Sequence, residues 1–195
     1  MSDLIFEKSF DFGSFQTWNG KPPFECFRIH QVHGIDFNRE QDEKKADGIC
    51  GHQSQPWAIV TADCLPVVIH GAKGDCFFHA GWRGIADQIF LQNEVQSIEP
   101  QYAFIGPHIN QANFEVQEDF KASFPGSRHF HQDNQGRVTF DLLGEITEGL
   151  QKAYKGIIVE DANLCTFNNT SLNSYRLDKT QKRNWNVFTS KAIQL

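Results

Sequence analysis

Apolar and polar positions alternate in short bursts along this chain, and few stretches hold a long helical period. Residues 65–69 (LPVVI) and 75–78 (DCFF) are apolar, rich in β-branched or aromatic residues, and separated by Gly71 and Gly74. That pattern predicts two strands joined by a hairpin-like turn. The fold-back brings Cys64, just before one strand, to His79, at the end of the other. Upstream, residues 57–61 (WAIVT) predict a buried strand that delivers Asp63 and Cys64 at its end. Residues 4–10 predict a short edge strand, followed by loop to residue 25. Residues 26–32 (CFRIHQV) predict a strand ending at His33-Gly34, residues 38–45 a polar surface loop, and residues 46–49 a turn.

Beyond the hairpin, a Gly81-Trp82-Arg83-Gly84 turn leads into a helix. Ile85, Ala86, Ile89 and Phe90 form its inner stripe, and Glu99-Pro100 ends it. Residues 102–105 predict a strand running into Gly106-Pro107-His108. Val116, Phe120 and Phe124 predict a helix stopped by Pro125. Asp141 is a fitting N-cap for a helix with Leu142, Leu143, Ile146, Leu150 and Ala153 inward. Residues 156–159 and 185–189 predict two further strands, with residues 173–176 as a loop. Strands mixed with about three helices, without repeat or linker, predict an α/β or α+β fold, with residues 1–195 as one domain.

Composition narrows the class. At 195 residues the chain can bury roughly 70% of its unfolded surface without staples. Eighteen phenylalanines against one methionine predict an aromatic core. A net charge of −6 argues against a nucleic-acid face, while leaving room for a small basic pocket. No stretch approaches a membrane span, and the acidic start is no signal peptide. Five cysteines, odd in number and without a CxxC pair, predict a cytoplasmic chain with reduced thiols.

Three strand ends carry the interesting chemistry: Gln31-Val32-His33-Gly34, Asp63-Cys64, and His79 through Gly84. Two imidazoles and a thiolate are three good zinc ligands, with a fourth position left for water or substrate. A Cys-His catalytic pair without metal, or plain structural roles, account for the same residues. Arg83, in a Gly-flanked turn, suits an anion, and Arg176 in a polar loop does too. Asp63 suits orienting a ligand, acid–base work or a strand-end cap. His108 is a further candidate for lining the site. Asp47 reads as a turn residue, and His30, His52, His70, His129 and His131 as surface.

The motifs QVHG, ADG, TADCLPV, HAGWRG, IGPHI…FEV and CT…NSYR, in this order, resemble the YfiH-type family. It is also called the laccase-domain, multicopper polyphenol oxidase or purine nucleoside phosphorylase family. The resemblance runs from about Gln31 to Arg176. It implies an α-β-β-α layered sandwich, shared with cytotoxic-necrotising-factor-like proteins, and a zinc site from His33, Cys64 and His79. It implies phosphorolysis of adenosine, inosine, guanosine and methylthioadenosine, with adenosine deamination, and in some members a link to peptidoglycan editing. The family's usual SYRR ends here as Ser174-Tyr175-Arg176-Leu177, and the segment before Gln31 is shorter than usual.

On that footing the expected catalytic residues are Cys64, His79 and Asp63, and the expected metal ligands His33, Cys64 and His79. Arg83, Arg176, His108 and Gln31 are the expected substrate and phosphate contacts. The expected cofactor is Zn2+, with Cu2+ as the alternative under a laccase reading. A metal-free Cys-His hydrolase and a protein with purely structural zinc are the other classes. Expected partners are purine nucleosides and phosphate, with no nucleic acid and no membrane; monomer and homodimer both remain open.

Overall fold

A computed structural model of the chain describes residues 2–38, 45–51 and 53–191. The strands are β1 (Leu4–Phe10), β2 (Gly13–Trp18), β3 (Phe27–Arg28), β4 (Phe37–Asn38), β5 (Gly48–Gly51), β6 (Trp57–Thr61) and β7 (Leu65–Gly71). They continue with β8 (Gly74–Ala80), β9 (Pro100–Ile105), β10 (Phe130–Gln132), β11 (Val138–Phe140), β12 (Ile158–Asp161) and β13 (Asn184–Ser190). The helices are α1 (Trp82–Ala86), α2 (Asn93–Ser97), α3 (Leu142–Ala153) and α4 (Tyr175–Asp178).

Two mostly antiparallel sheets dominate this α+β fold. One has the order β1-β2-β13-β6-β3 and the other β12-β9-β7-β8-β5-β4, with β10-β11 as a separate ribbon. The hairpin of β7 and β8 lies at the centre of the six-stranded sheet, and pairs Pro66 with His79 and Leu65 with Ala80. Its alternation fills two cores. Leu65, Val67, Ile69, Cys76, Phe78 and Ala80 face the helical side, against Ile85, Ile89, Ile146 and Leu150. Val68 and Phe77, with Phe104 of β9, face the other sheet, against Phe15, Ile59 and Phe188. The strands therefore read as continuous apolar runs because both faces are buried.

Several expectations are corrected. The stretch taken as loop after residue 10 contains β2, which pairs with both β1 and β13. Its inward positions are Gly13, Phe15 and Thr17, so its alternation is disguised by a polar residue whose hydroxyl donates to Asn186 at 2.9 Å. The strand expected over 26–32 shrinks to β3. The turn expected at 46–49 instead opens β5, and Asp47 is fully buried. The single helix after Gly84 is three short turns, broken where Gln88 adopts φ 57°. Residues 118–123 form a 3-10 helix rather than an α-helix, and residues 130–132 form β10. On α3, Asp141 caps Gly144 as expected, but Ala153 is exposed and Leu143 half-buried. The loop at 173–176 opens α4, capped by Ser174.

Not all thiols are free: Cys50 and Cys76, opposite one another on β5 and β8, form a disulfide, leaving Cys26, Cys64 and Cys165. Of the histidines read as surface, His70 and His129 are half-buried and bonded to Asp75 and Glu148, while His52 lies outside the described residues. Most of the loop at 38–45 also lies outside them. No helix among the described residues is long and apolar enough to cross a membrane.

Phe77 is fully buried between the sheets, edge-on to Phe15 at 6.1 Å and Phe188 at 6.3 Å. Phe77→Ala should cost about 3–5 kcal/mol in urea unfolding. Leu177→Ala, at a residue 52% exposed, should stay within about 0.5 kcal/mol. Equal effects would contradict the placement of the core.

Candidate metal centre and cleft

His33, Cys64 and His79 meet as the sequence predicts. One ligand atom from each lies within 4.8 Å of the others. Each arrives by a different route. Cys64 sits at the corner where the chain leaves β6 of one sheet and enters β7 of the other. His79 ends β8, and His33 stands in the segment between β3 and β4. Both His33 (φ 61°) and Asp63 (φ 97°) hold positive backbone angles that a side-chain-bearing residue adopts at a cost of about 1–3 kcal/mol. Such strain persists only where surrounding contacts impose it.

Asp47 imposes it. Its carboxylate accepts the backbone N–H groups of Val32 (3.0 Å), His33 (3.0 Å) and Gly34 (2.7 Å). The same carboxylate accepts His79 Nδ1–H at 2.8 Å, and the Asp47 carbonyl accepts the His79 amide at 2.7 Å. This bond fixes the His79 tautomer and leaves Nε2 for the cluster. Burial opposes ionisation of Asp47, but the bonds from His79, Gly34 and Val32 hold its carboxyl below the ordinary range. Gln31 secures the same segment from the other side: its amide donates to Val60 O at 2.9 Å and accepts Val60 N–H at 2.8 Å. Its polar ends are thereby engaged by the main chain.

Burial would raise the Cys64 thiol, but the charge of His79 and hydrogen bonds from His33 and His79 bring it down to about 6. Burial would lower His79, but the Cys64 thiolate and Asp47 raise it to about 9. Without metal each group favours the charged form of the other, thiolate and imidazolium. The donor set fits a metal. In a tetrahedral zinc site the ligand atoms stand about 3.5 Å apart, a modest closure from the spacing here. Gly81 leaves the front of the cluster bare. A Cβ there would lie 3.4 Å from Cys64 Sγ, 3.4 Å from His79 Cε1 and 3.5 Å from His33 Cδ2.

The cluster opens into a cleft of about 900 Å³. Trp82, Phe114, Phe120 and Tyr175 supply aromatic walls, and Arg83, Arg176 and Arg183 supply cations. The Arg83 guanidinium lies 4.4 Å over the Trp82 ring, and no carboxylate among the described residues pairs with it. Arg176 stands 5.0 Å over Phe114 and donates to Glu115 O at 2.7 Å. Asp63 reaches the lining, but its two oxygens accept Thr166 Oγ1–H (2.8 Å) and Arg176 N–H (2.7 Å). His108 does not reach it. It is buried, bonded through Nδ1 to Gly106 O at 2.9 Å, and burial lowers its pKa. Sequence reasoning missed Arg183 in the cleft and the role of Asp47. The available signals for the latter were its place in the ADG motif and beside the apolar Ile49-Cys50 run.

Two predictions follow from this geometry. Asp47→Asn should weaken metal retention about 10–100-fold in chelator competition; unchanged affinity would contradict the role of Asp47. In metal-free protein, carboxamidomethylation of Cys64 should rise with pH up to about 6 and level off above it. A rise continuing to the ordinary thiol range would contradict the ion pair.

The family described as multi-copper polyphenol oxidoreductase laccase matches residues 14–189. A purine nucleoside phosphorylase of Xylella fastidiosa is 32% identical over 178 residues, covering 80% of this chain and 68% of that one. A purine nucleoside phosphorylase of Aquifex aeolicus is 31% identical over 130 residues, or 64% of this chain, and the match spans only 61% of that relative's length. The crystal structure of a Neisseria meningitidis protein superposes with a TM-score of 0.74 at 25% identity, covering 85% of this chain and 74% of that one. The matched segment contains the whole His-Cys-His cluster and the walls of its cleft, and the chain belongs to the multi-copper polyphenol oxidoreductase laccase family.

Proposed function

We propose that the chain is a zinc-dependent purine nucleoside phosphorylase, acting on adenosine, inosine, guanosine and methylthioadenosine, with adenosine deamination as a second reaction. One observation carries this reading: the His33–Cys64–His79 cluster opens into a cleft that combines unpaired cationic and aromatic side chains. The names of the Xylella and Aquifex relatives supply the substrate class.

His33, Cys64 and His79 would hold the zinc, which when bound supplies Lewis acidity and an activated water. Arg83 and Arg176 hold phosphate, with Arg183 on the same wall. The aromatic side chains take the flat purine. In phosphorolysis a phosphate oxygen bonds to the ribose anomeric carbon as the glycosidic bond breaks. The bonding pair leaves with the purine, which takes up a proton. Positive charge grows on the ribose and negative charge on the base, so fixed charges lining the cleft lower the barrier. In deamination, water replaces the exocyclic amine, which leaves as ammonia from the same purine pocket.

A second reading has its own observation. Cys64, His79 and Asp47 form a nucleophile–base–orienter chain of the kind a metal-free hydrolase or amidase uses. Copper-dependent phenol oxidation, the activity in the family's description, has less support. His129 and His131, the pair that could supplement the cluster, do not line the cleft.

Elemental analysis beside adenosine turnover, read by product chromatography with and without phosphate, tests the proposal. About one zinc per chain is expected, with adenine released only when phosphate is present. Cys64→Ala should lose zinc and turnover together. Full turnover by metal-free Cys64→Ala would overturn the assignment. Amide cleavage by the metal-free wild type would establish the hydrolase instead, and oxygen uptake on a phenol only with copper added would establish the oxidase.

A further inference from the structure

We propose that Asp63 is a positioning residue that couples the ligand thiolate of Cys64 to the anion-binding Arg176, and that it carries no proton in the reaction. The anion-binding half rests on the phosphorylase reading; the thiolate half does not.

Asp63 directly precedes Cys64 and holds φ 97°. This backbone angle sets the direction in which the chain enters β7, and so where Cys64 points. The strain needs an anchor, and the side chain supplies it. Oδ1 accepts the hydroxyl proton of Thr166, a residue with no exposed surface. Oδ2 accepts the amide N–H of Arg176 in the first turn of α4. The Asp63 carbonyl accepts Ile109 N–H at 2.9 Å, which ties the same corner to the segment after β9. Arg176 is then aimed by the Glu115 carbonyl and the Phe114 ring. One residue therefore spans the metal cluster and the cationic wall.

A proton carrier needs an oxygen turned towards the substrate. Both oxygens of Asp63 face fixed protein donors, and the residue is 8% exposed despite its place in the lining. An asparagine satisfies the same two bonds: its amide oxygen accepts from Arg176 N–H and its NH2 donates to the Thr166 oxygen. Asparagine is also among the residues that best tolerate positive φ. Alanine satisfies neither bond.

The test compares Asp63→Ala with Asp63→Asn in the full chain, each loaded with cobalt in place of zinc and each assayed for adenine release. Asp63→Ala should weaken the cobalt–thiolate charge-transfer band and raise the phosphate KM about tenfold, with a smaller fall in kcat. Asp63→Asn should rescue the band, the KM and the wild-type pH profile to within about threefold. If Asp63→Asn abolishes kcat while its cobalt band and urea midpoint match wild type, Asp63 is the proton carrier and the proposal fails. An unaltered cobalt band and KM in Asp63→Ala would also overturn it. If the wild type releases no base, the cobalt band still decides the thiolate half, so failure of the phosphorylase reading is distinguished. If Asp63→Ala does not fold, Asp63→Asn alone separates positioning from proton transfer.

Discussion

The carboxylate of Asp47 is the constraint on which the site depends. It has no exposed surface, yet it collects three consecutive amides from the His33 segment and the ring N–H of His79. A buried charge is costly unless its lone pairs are satisfied, and here they are. Those bonds join residues far apart in sequence. They hold His33 in a left-handed conformation and turn the His79 ring towards Cys64. Because Asp47 leads straight into β5, paired with β8, the carboxylate is also fixed by the central sheet. Cluster geometry and sheet register are thus one problem with one solution.

The cleft shows why net charge is a poor guide to a local site. The chain carries −6 overall, yet three arginines line one cavity beside the His-Cys-His cluster, together with Asp63, Glu115 and Asp119. Two of them lie over aromatic rings, Arg83 over Trp82 and Arg176 over Phe114. Stacking holds a guanidinium without neutralising it, so its charge stays free for an anion. The aromatic residues thereby serve twice, as supports for cations and as flat apolar walls.

The elements legible in the sequence were those whose pattern matches their burial. β6 and the β7–β8 hairpin are apolar because both faces are covered, and the hairpin brings Cys64 to His79 directly. The helix α3 announced itself through Asp141 and its inward leucines. β2 did not, because the inward-facing Thr17 finds a buried partner in Asn186 only once β13 is in place. The role of Asp47 was hidden for the same reason: its donors come from Val32, His33 and Gly34, a contact local propensity cannot see. Arg183 lies beyond the resembling motifs and enters the cleft only through the fold. His108 shows the opposite error, a polar residue at a strand end that the fold uses internally.

X-ray absorption at the zinc edge of the protein as purified tests the central claim most directly, because it reads the donor set without an assay. One sulfur at about 2.3 Å and at least two nitrogens at about 2.0 Å are expected. In Cys64→Ala the zinc-edge signal itself should be lost with the metal, and any residual zinc should show no sulfur neighbour. A spectrum with only nitrogen and oxygen neighbours, or one unchanged by loss of Cys64, would contradict the His33–Cys64–His79 centre.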